Sequence, residues 1–370
     1  MDKEKIVVIG AGEFQLPLVQ KAVSMGYEVH CFAWEAGAVA KDEADFFYPL
    51  SITDKEAILE VCKDIKPVAV LTAGSDLAMP TVAYICEALS LCCNSFEVAK
   101  RCTDKYEMRK TLSDKGVAVP YFQLVGESDE IDADSVAYPV IVKPTDRSGS
   151  RGITLVDSPK NLHSAIKEAI SHSFAKKAII EGYISGDEYS CECISFEGEH
   201  HFLAFTKKFT TGAPNYIETG HIQPDDIPEK FKDKIISTIL DALTALGITY
   251  GASHTEFRVD KNGNFGIIEI GARMGGDCIG SDLVQLSTGK DFLRMLIDSA
   301  CGKKPNISPT CKIHNSARID FIFTEDDLLK LESIKSHSPE SIVRISNLET
   351  ENIGHITDSS NRVGYYITVS

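Results

Sequence analysis

Two glutamates, Glu256 and Glu269, lie on apolar runs that flank the short turn Asp260-Lys-Asn-Gly263-Asn264. With the turn centred on Asn262-Gly263, the runs pair antiparallel and the two carboxylates stand opposite one another. Buried carboxylates that close repel unless a cation lies between them. Mg2+ suits such oxygens, sharing one or two carboxylates with substrate phosphates, and Mn2+ can replace it. Arg273, just past the second run, offers a planar fork to a phosphoryl group or a carboxylate. A surface hairpin with solvated acids would show the same alternation.

A second constellation supplies what such a cation would share. Val140-Ile-Val-Lys143 reads as a short buried strand that delivers a lysine into Pro144-Thr-Asp-Arg147-Ser148-Gly149-Ser150-Arg151-Gly152. Glycines and serines let backbone N–H groups converge on an anion, with Lys143, Arg147 and Arg151 adding positive charge. A polyphosphate is the matching ligand, and an ordinary hairpin loop with a stray arginine is the plain alternative. Lys105 opens a helix, where the macrodipole disfavours a cation unless phosphate is near. Glu181-Gly182-Tyr183-Ile184, with Glu188 beyond, is an acidic, apolar hinge. Its backbone can read a purine edge while Tyr183 and Ile184 cover the ring and Glu188 accepts from ribose. A β-turn with solvated acids is the plain alternative.

The elements that must position these groups follow from periodicity. Lys5 to Ile9, the turn Gly10-Ala-Gly12 and a helix from Phe14 to Met25 open the chain. Strands at 27–32 and 67–71 alternate with helices at 53–65 and 77–89, which implies a parallel, doubly wound sheet. Helices are expected at 95–100, 103–115, 159–171 and 230–246. A hairpin is expected at 189–209, and a long, functional loop at 210–228 that carries Glu218 and His221. Toward the C-terminus, 311–323, 341–345 and 364–369 read as strands and 326–334 as a helix. The chain stops directly after an apolar strand, as in a short or trimmed protein.

Composition bounds the rest. A chain of 370 residues holds two or three cores. Its formal net charge of −16 argues against nucleic acid or an anionic membrane as partner. No run is long enough to span a membrane and no signal-peptide pattern opens the chain. Eleven cysteines scattered through apolar segments fit reduced thiols in a cytoplasmic protein. Gly10-x-Gly12-x-x-Gln15 approximates a dinucleotide fingerprint, with Glu35 near the ribose-binding position, but no catalytic acid–base signature accompanies it. The tetrapeptides at 74–77 and 280–283 reverse the G-D-S-L order, and no G-x-S-x-G elbow occurs.

Lysine at a helix start, strand lysine with a glycine loop, acidic hinge and E…E-x-x-x-R, in that order, resemble the ATP-grasp superfamily over residues 1–300. His254-Thr-Glu256 and Glu269-Ile-Gly-Ala-Arg-Met-Gly-Gly-Asp277 look most like its carboxylate–amine ligases. Those include L-amino-acid ligases, and the pattern is similar to the carbamoyl-phosphate synthase large chain and biotin carboxylase. The resemblance implies an α/β fold: a Rossmann-like lobe (1–103), ATP-grasp α+β lobes (104–308) and a small β-rich C-terminal unit (309–370). Within the middle region it implies a nucleotide-covering lobe (104–181) and a central lobe with the metal site (182–308). It makes Lys105 and Lys143 phosphate ligands, Ser148, Gly149, Ser150 and Gly152 the covering loop, and Glu181 to Ile184 the adenine hinge. Glu188 becomes the ribose ligand, Glu256 and Glu269 the Mg2+ ligands, and Arg273 the residue beside an acyl phosphate.

Many members carry asparagine where this chain has Gly271, which leaves the number of metal ions open. His254 either orients substrate, takes the amine's proton or is a core histidine. The expected reaction is ATP-dependent, ADP-forming joining of a small carboxylic acid or amino acid to an amine; a homodimer is an expectation of the family. The competing readings are an ATP-binding protein with impaired catalysis and an NAD(P)-dependent oxidoreductase.

Overall fold

The computed structural model describes residues 3–149, 151–213, 216–354 and 362–370. Strands β1 (Lys5–Ile9), β2 (Glu28–Phe32), β3 (Phe46–Tyr48) and β4 (Ala69–Leu71) form a parallel sheet in the order β3-β2-β1-β4. Helix α1 (Leu16–Ser24) connects β1 to β2, α2 (Lys55–Ile65) connects β3 to β4, and α3 (Met79–Leu89) follows β4. Ile6, Val7, Val8 and Ile9 are all fully buried, as a parallel strand covered on both faces requires. Asp54 caps α2 by accepting from the Ala57 N–H.

Helices α4 (Phe96–Thr103) and α5 (Lys105–Asp114) lead into the second sheet. The Asp104 carboxylate caps α5 by accepting from the Tyr106 and Glu107 N–H groups. That cap sets Lys105, and Arg109 four residues on, along one inward face. Strands β5 (Phe122–Gly126), β6 (Val140–Pro144), β7 (Thr154–Val156) and β8 (Lys177–Gly182) form an antiparallel sheet, β5-β8-β6-β7. Helix α6 (Pro159–His172) closes one face, with Leu162, Ile166 and Ile170 against Val140, Val142 and Ile180.

The largest sheet has eight antiparallel strands. They are β9 (Asp187–Phe196), β10 (Glu199–Thr210), β11 (Glu218–Gln223), β12 (Gly251–Val259), β13 (Phe265–Gly271), β14 (Ala317–Ile322), β15 (Ile342–Ile345) and β16 (Gly364–Val369). Their order is β13-β12-β9-β10-β11-β14-β16-β15, so the C-terminal strands extend this sheet through β11. Helix α7 (Glu229–Leu246) packs Ile235, Ile239 and Leu243 on Phe257, Ile267 and Ile270. Helices α8 (Val284–Thr288) and α9 (Phe292–Ala300) follow β13, and α9 packs on α1, β4, β9 and β12 and so joins the first sheet to the third. Helix α10 (Glu325–His337) starts with a capping box between Thr324 and Asp327.

One expectation fails outright. Residues 218–223 are not loop but β11, paired with β10 and β14. Glu-Thr-Gly-His-Ile-Gln lacks apolar alternation because Glu218 and His221 line a cavity and Gln223 is buried in hydrogen bonds to Thr206 and Ser287.

Candidate active site

A cavity of about 450 Å3 opens where the three sheets meet. Nine lysine and arginine side chains and seven carboxylates line it, a local basic excess in an acidic protein.

Strand β6 carries Lys143 and the neighbouring β8 carries Glu181. Glu181 Oε2 accepts from Lys143 Nζ at 2.6 Å, and Oε1 accepts from Arg109 Nε at 2.6 Å. All three side chains are buried. Burial alone would raise the Glu181 pKa, yet the two cations hold it down at about 2. Burial, followed by Arg109 and Lys105, lowers that of Lys143 despite Glu181. The Glu181 carboxylate is therefore turned to the basic cluster, and in the hinge only the backbone of 181–184 is left to read a base.

The hairpin brings Glu256 and Glu269 into direct register. Phe257 pairs with Ile267, and only a bulge at the Glu256/Phe257 step sets Glu269, rather than Ile268, across from Glu256. Each side chain is 24 % exposed to the cavity and held by a lysine, Glu256 by Lys208 and Glu269 by Lys105 at 2.9 Å. Lys105 Nζ also donates to the Arg147 carbonyl at 2.7 Å, tying the glycine loop to the hairpin. Ser148 and Gly149 line the cavity, and Ser150 lies outside the described residues. Gly152 does not line it: a Cβ there would sit 3.0 Å from the His172 ring.

His254, Glu256 and Arg258 alternate along β12 and so share one face. Arg258 donates to Glu188 Oε2 at 3.2 and 3.0 Å, to the Tyr183 hydroxyl at 2.9 Å and to the Ile184 carbonyl at 3.3 Å. One guanidinium thus braces the whole hinge. His254 Nδ1 lies 2.5 Å from Glu192 and Nε2 3.4 Å from Glu256. Burial opposes its charge, but Glu192 and Glu256 outweigh that and raise its pKa to about 9. The two carboxylates favour the charged imidazole, so in this arrangement His254 belongs to an ion-paired array.

Arg273 is engaged as well. Its Nε and Nη2 donate to the two oxygens of Asp76 at 2.8 and 2.7 Å. A Cβ on Gly271 would stand 3.1 Å from Asp76 Oδ1 and 3.2 Å from Arg273 Nε, so this fork takes the room a side chain at 271 would use. Elsewhere in the cavity lining, Arg362 bridges Asp277 (3.0 Å) and Glu218 (3.1 Å), with His221 3.5 Å from Asp277.

Sequence reasoning did not single out Arg109, Asp76, Arg258 or Arg362 for the site. Helical spacing from Lys105 would have found Arg109, and strand alternation Arg258. Nothing local marks Asp76 or Arg362, which arrive from distant parts of the fold.

Two observations bear on ligands. Buried donors without a protein partner, Arg109 Nη1, Arg147 Nε and Arg362 Nε, belong to cavity-lining residues and suit an anion. Among the described residues no three His, Cys, Asp or Glu side chains cluster to hold a metal unaided. Two facing carboxylates instead fit a cation that completes its shell with ligand phosphates. The dinucleotide turn is filled by protein: Gln15 Oε1 accepts from the Gly12 N–H at 3.0 Å and Nε2 donates to the Ala73 carbonyl at 2.6 Å.

A family model described as an ATP-grasp domain matches residues 136–282. This stretch of the chain is an ATP-grasp domain. Alanine–anticapsin ligase of Bacillus subtilis (strain 168) is 26 % identical over 305 residues, 71 % of this chain and 64 % of that protein. The chain thus spans less than two thirds of the length of that curated relative. An L-amino acid ligase from Bacillus licheniformis matches in structure with TM-score 0.81 at 23 % identity, covering 100 % of this chain and 94 % of that one. A phosphoribosylglycinamide synthetase from Anaerococcus prevotii gives 0.77 at 22 % identity, covering 100 % and 94 %. These two likenesses show that the fold is shared over the whole chain, with the N-terminal sheet and the C-terminal strands included.

Proposed function

We propose that the chain is an ADP-forming carboxylate–amine ligase that works through an acyl phosphate on small-molecule substrates. One observation carries the reading: Lys143, Lys105, Glu256, Glu269 and Arg273 all line a single cavity. ATP is the nucleotide substrate, with its base at the backbone of 181–184, its ribose beside Glu188 and its phosphates between Lys105, Lys143 and the Ser148–Gly149 loop. Glu256 and Glu269 would hold a divalent ion, Mg2+ with Mn2+ as substitute, which when bound offsets the charge of the phosphates.

A substrate carboxylate oxygen attacks the γ-phosphorus in line, and the bond to the ADP oxygen breaks. Lys105, Lys143 and Arg273 neutralise the oxygens of the transferring group, so the protein contributes positioning and charge rather than covalent chemistry. An amine then attacks the acyl carbon; phosphate leaves, the nitrogen loses a proton, and an amide results. With His254 ion-paired to Glu192 and Glu256, the departing phosphate or solvent takes that proton. The glycine loop, tied to Lys105, excludes water from the acyl phosphate.

Gly271 does not argue for impaired catalysis, since the Asp76–Arg273 pair accounts for it, and Gln15 argues against a nicotinamide dinucleotide in the N-terminal turn. No helix among the described residues is long and apolar enough to cross a membrane. Eleven free thiols suit a reducing compartment such as the cytoplasm.

The test is ADP release with Mg2+, scanned over pairs of amino acids and small carboxylates. At least one pair is expected to stimulate release above ATP alone, and EDTA to abolish it. ATP binding without stimulation by any pair would leave only a nucleotide-binding protein.

A further inference from the structure

In the order β3-β2-β1-β4 the direction in which strands are added reverses between β1 and its parallel neighbour β4, and in sheets of this kind the carboxyl ends at such a switch point flank a crevice. Crevices of this kind gather ligands. Here Gln15 fills the glycine turn after β1, so the crevice serves something else. The loop after β4, Gly74-Ser-Asp76-Leu77, reaches out of the first sheet, and Asp76 grips Arg273 beyond the end of β13.

Several glycines make that reach possible. Gly74 sits at φ +62°, and a Cβ on it would lie 3.3 Å from the Cα of Gly276. Gly271 leaves the same kind of gap on the other side of the pair. Both partners line the cavity, with side chains 16 % and 15 % exposed. Arg273 Nη1 donates to the Met274 carbonyl at 3.2 Å, which together with the two-point grip fixes the guanidinium plane. Glu256 and Glu269 both act on Arg273 electrostatically, so a freed guanidinium would turn to them.

Resting on the ligase reading, we propose that Asp76 is the positioning residue for Arg273. It holds the fork toward the reacting carboxylate and off the two carboxylates reserved for the metal. The N-terminal sheet thereby contributes to the chemistry without binding a cofactor of its own.

The test compares wild type with Asp76→Asn, Arg273→Ala and the double variant, in Mg·ATP binding and in ADP release with a stimulating pair from the scan. Asp76→Asn is expected to keep Mg·ATP affinity within about twofold while kcat falls about 10²-fold, the scale of an ångström's misplacement. It should also raise the Mg2+ concentration at half-maximal rate. In the Arg273→Ala background the same change should lower the rate no further, since Asp76 would have nothing left to position. Independent, multiplying losses, or an unchanged kcat in the single variant, would overturn the proposal.

If no pair stimulates release, the ligase reading fails, and the grip is read directly on the full-length protein. The Arg273 Nε–H signal in 15N-arginine spectra, assigned by its loss in Arg273→Lys, should exchange with water at least about tenfold faster in Asp76→Asn. Equal exchange would show that Asp76 does not hold the fork.

Discussion

At the scale of single residues the cavity is a set of ion pairs with a basic excess, and Glu181 is the carboxylate that holds two of its buried cations. Its two oxygens satisfy two buried cations at 2.6 Å each. Removing the charge strands both cations away from water, which costs far more than the pair's net contribution. Glu181→Gln should therefore lose about 3–5 kcal/mol in urea unfolding at pH 7. The pH dependence has a definite sign. The folded-state pKa, about 2, lies below the ordinary 4.5, so the stabilisation is complete above 4.5 and drains away as pH falls through 2. Wild type should lose stability across that window, and Glu181→Gln should lose less. Parallel acid profiles would mean the carboxylate is not held by the two cations.

At the scale of elements, the hinge between β8 and β9 depends on Gly186. It takes φ +115°, and a Cβ there would run into the Val259 carbonyl and stand 2.7 Å from the Asp260 nitrogen. Gly198, in the turn from β9 to β10, has φ +80° with no atom within 4 Å of a Cβ. The comparison separates strain from collision. Gly186→Ala should cost on the order of 3 kcal/mol and Gly198→Ala about 1 kcal/mol, read from chemical denaturation. Equal costs would show that backbone conformation alone matters at the hinge.

Elements with strong periodicity were legible in the sequence. Helix α7, the β9–β10 hairpin and the antiparallel pairing of the two glutamate-bearing strands all follow from apolar spacing and turn residues. Strand β11 was not, because its inward side chains are polar, and β3, β5 and β7 are short and lack a marked alternation. The facing of the glutamates also needed a bulge that no sequence rule supplies, since the turn alone sets only the pairs nearest to it.

At the scale of the molecule, the cavity takes residues from all three sheets: Asp76 after β4, Lys143 on β6, Glu256 on β12. This is why part of the site was hidden from local reading; Arg362 and Asp76 reach it from opposite ends of the chain. It also means that a ligand in the cavity must bind the folded state and not the unfolded one. Saturation at a hundred times Kd then adds about 2.7 kcal/mol to stability. The basic excess of the cavity sits inside a protein of net charge −16 and attracts ATP, while Glu256 and Glu269 repel its phosphates unless a divalent cation lies between. Mg·ATP should accordingly raise the unfolding midpoint more than ATP with EDTA. Lys143→Ala should remove most of that rise, and added salt should reduce it by screening. Calorimetry of the full chain with and without Mg·ATP checks this, and an equal rise in Lys143→Ala would place the nucleotide outside this cavity.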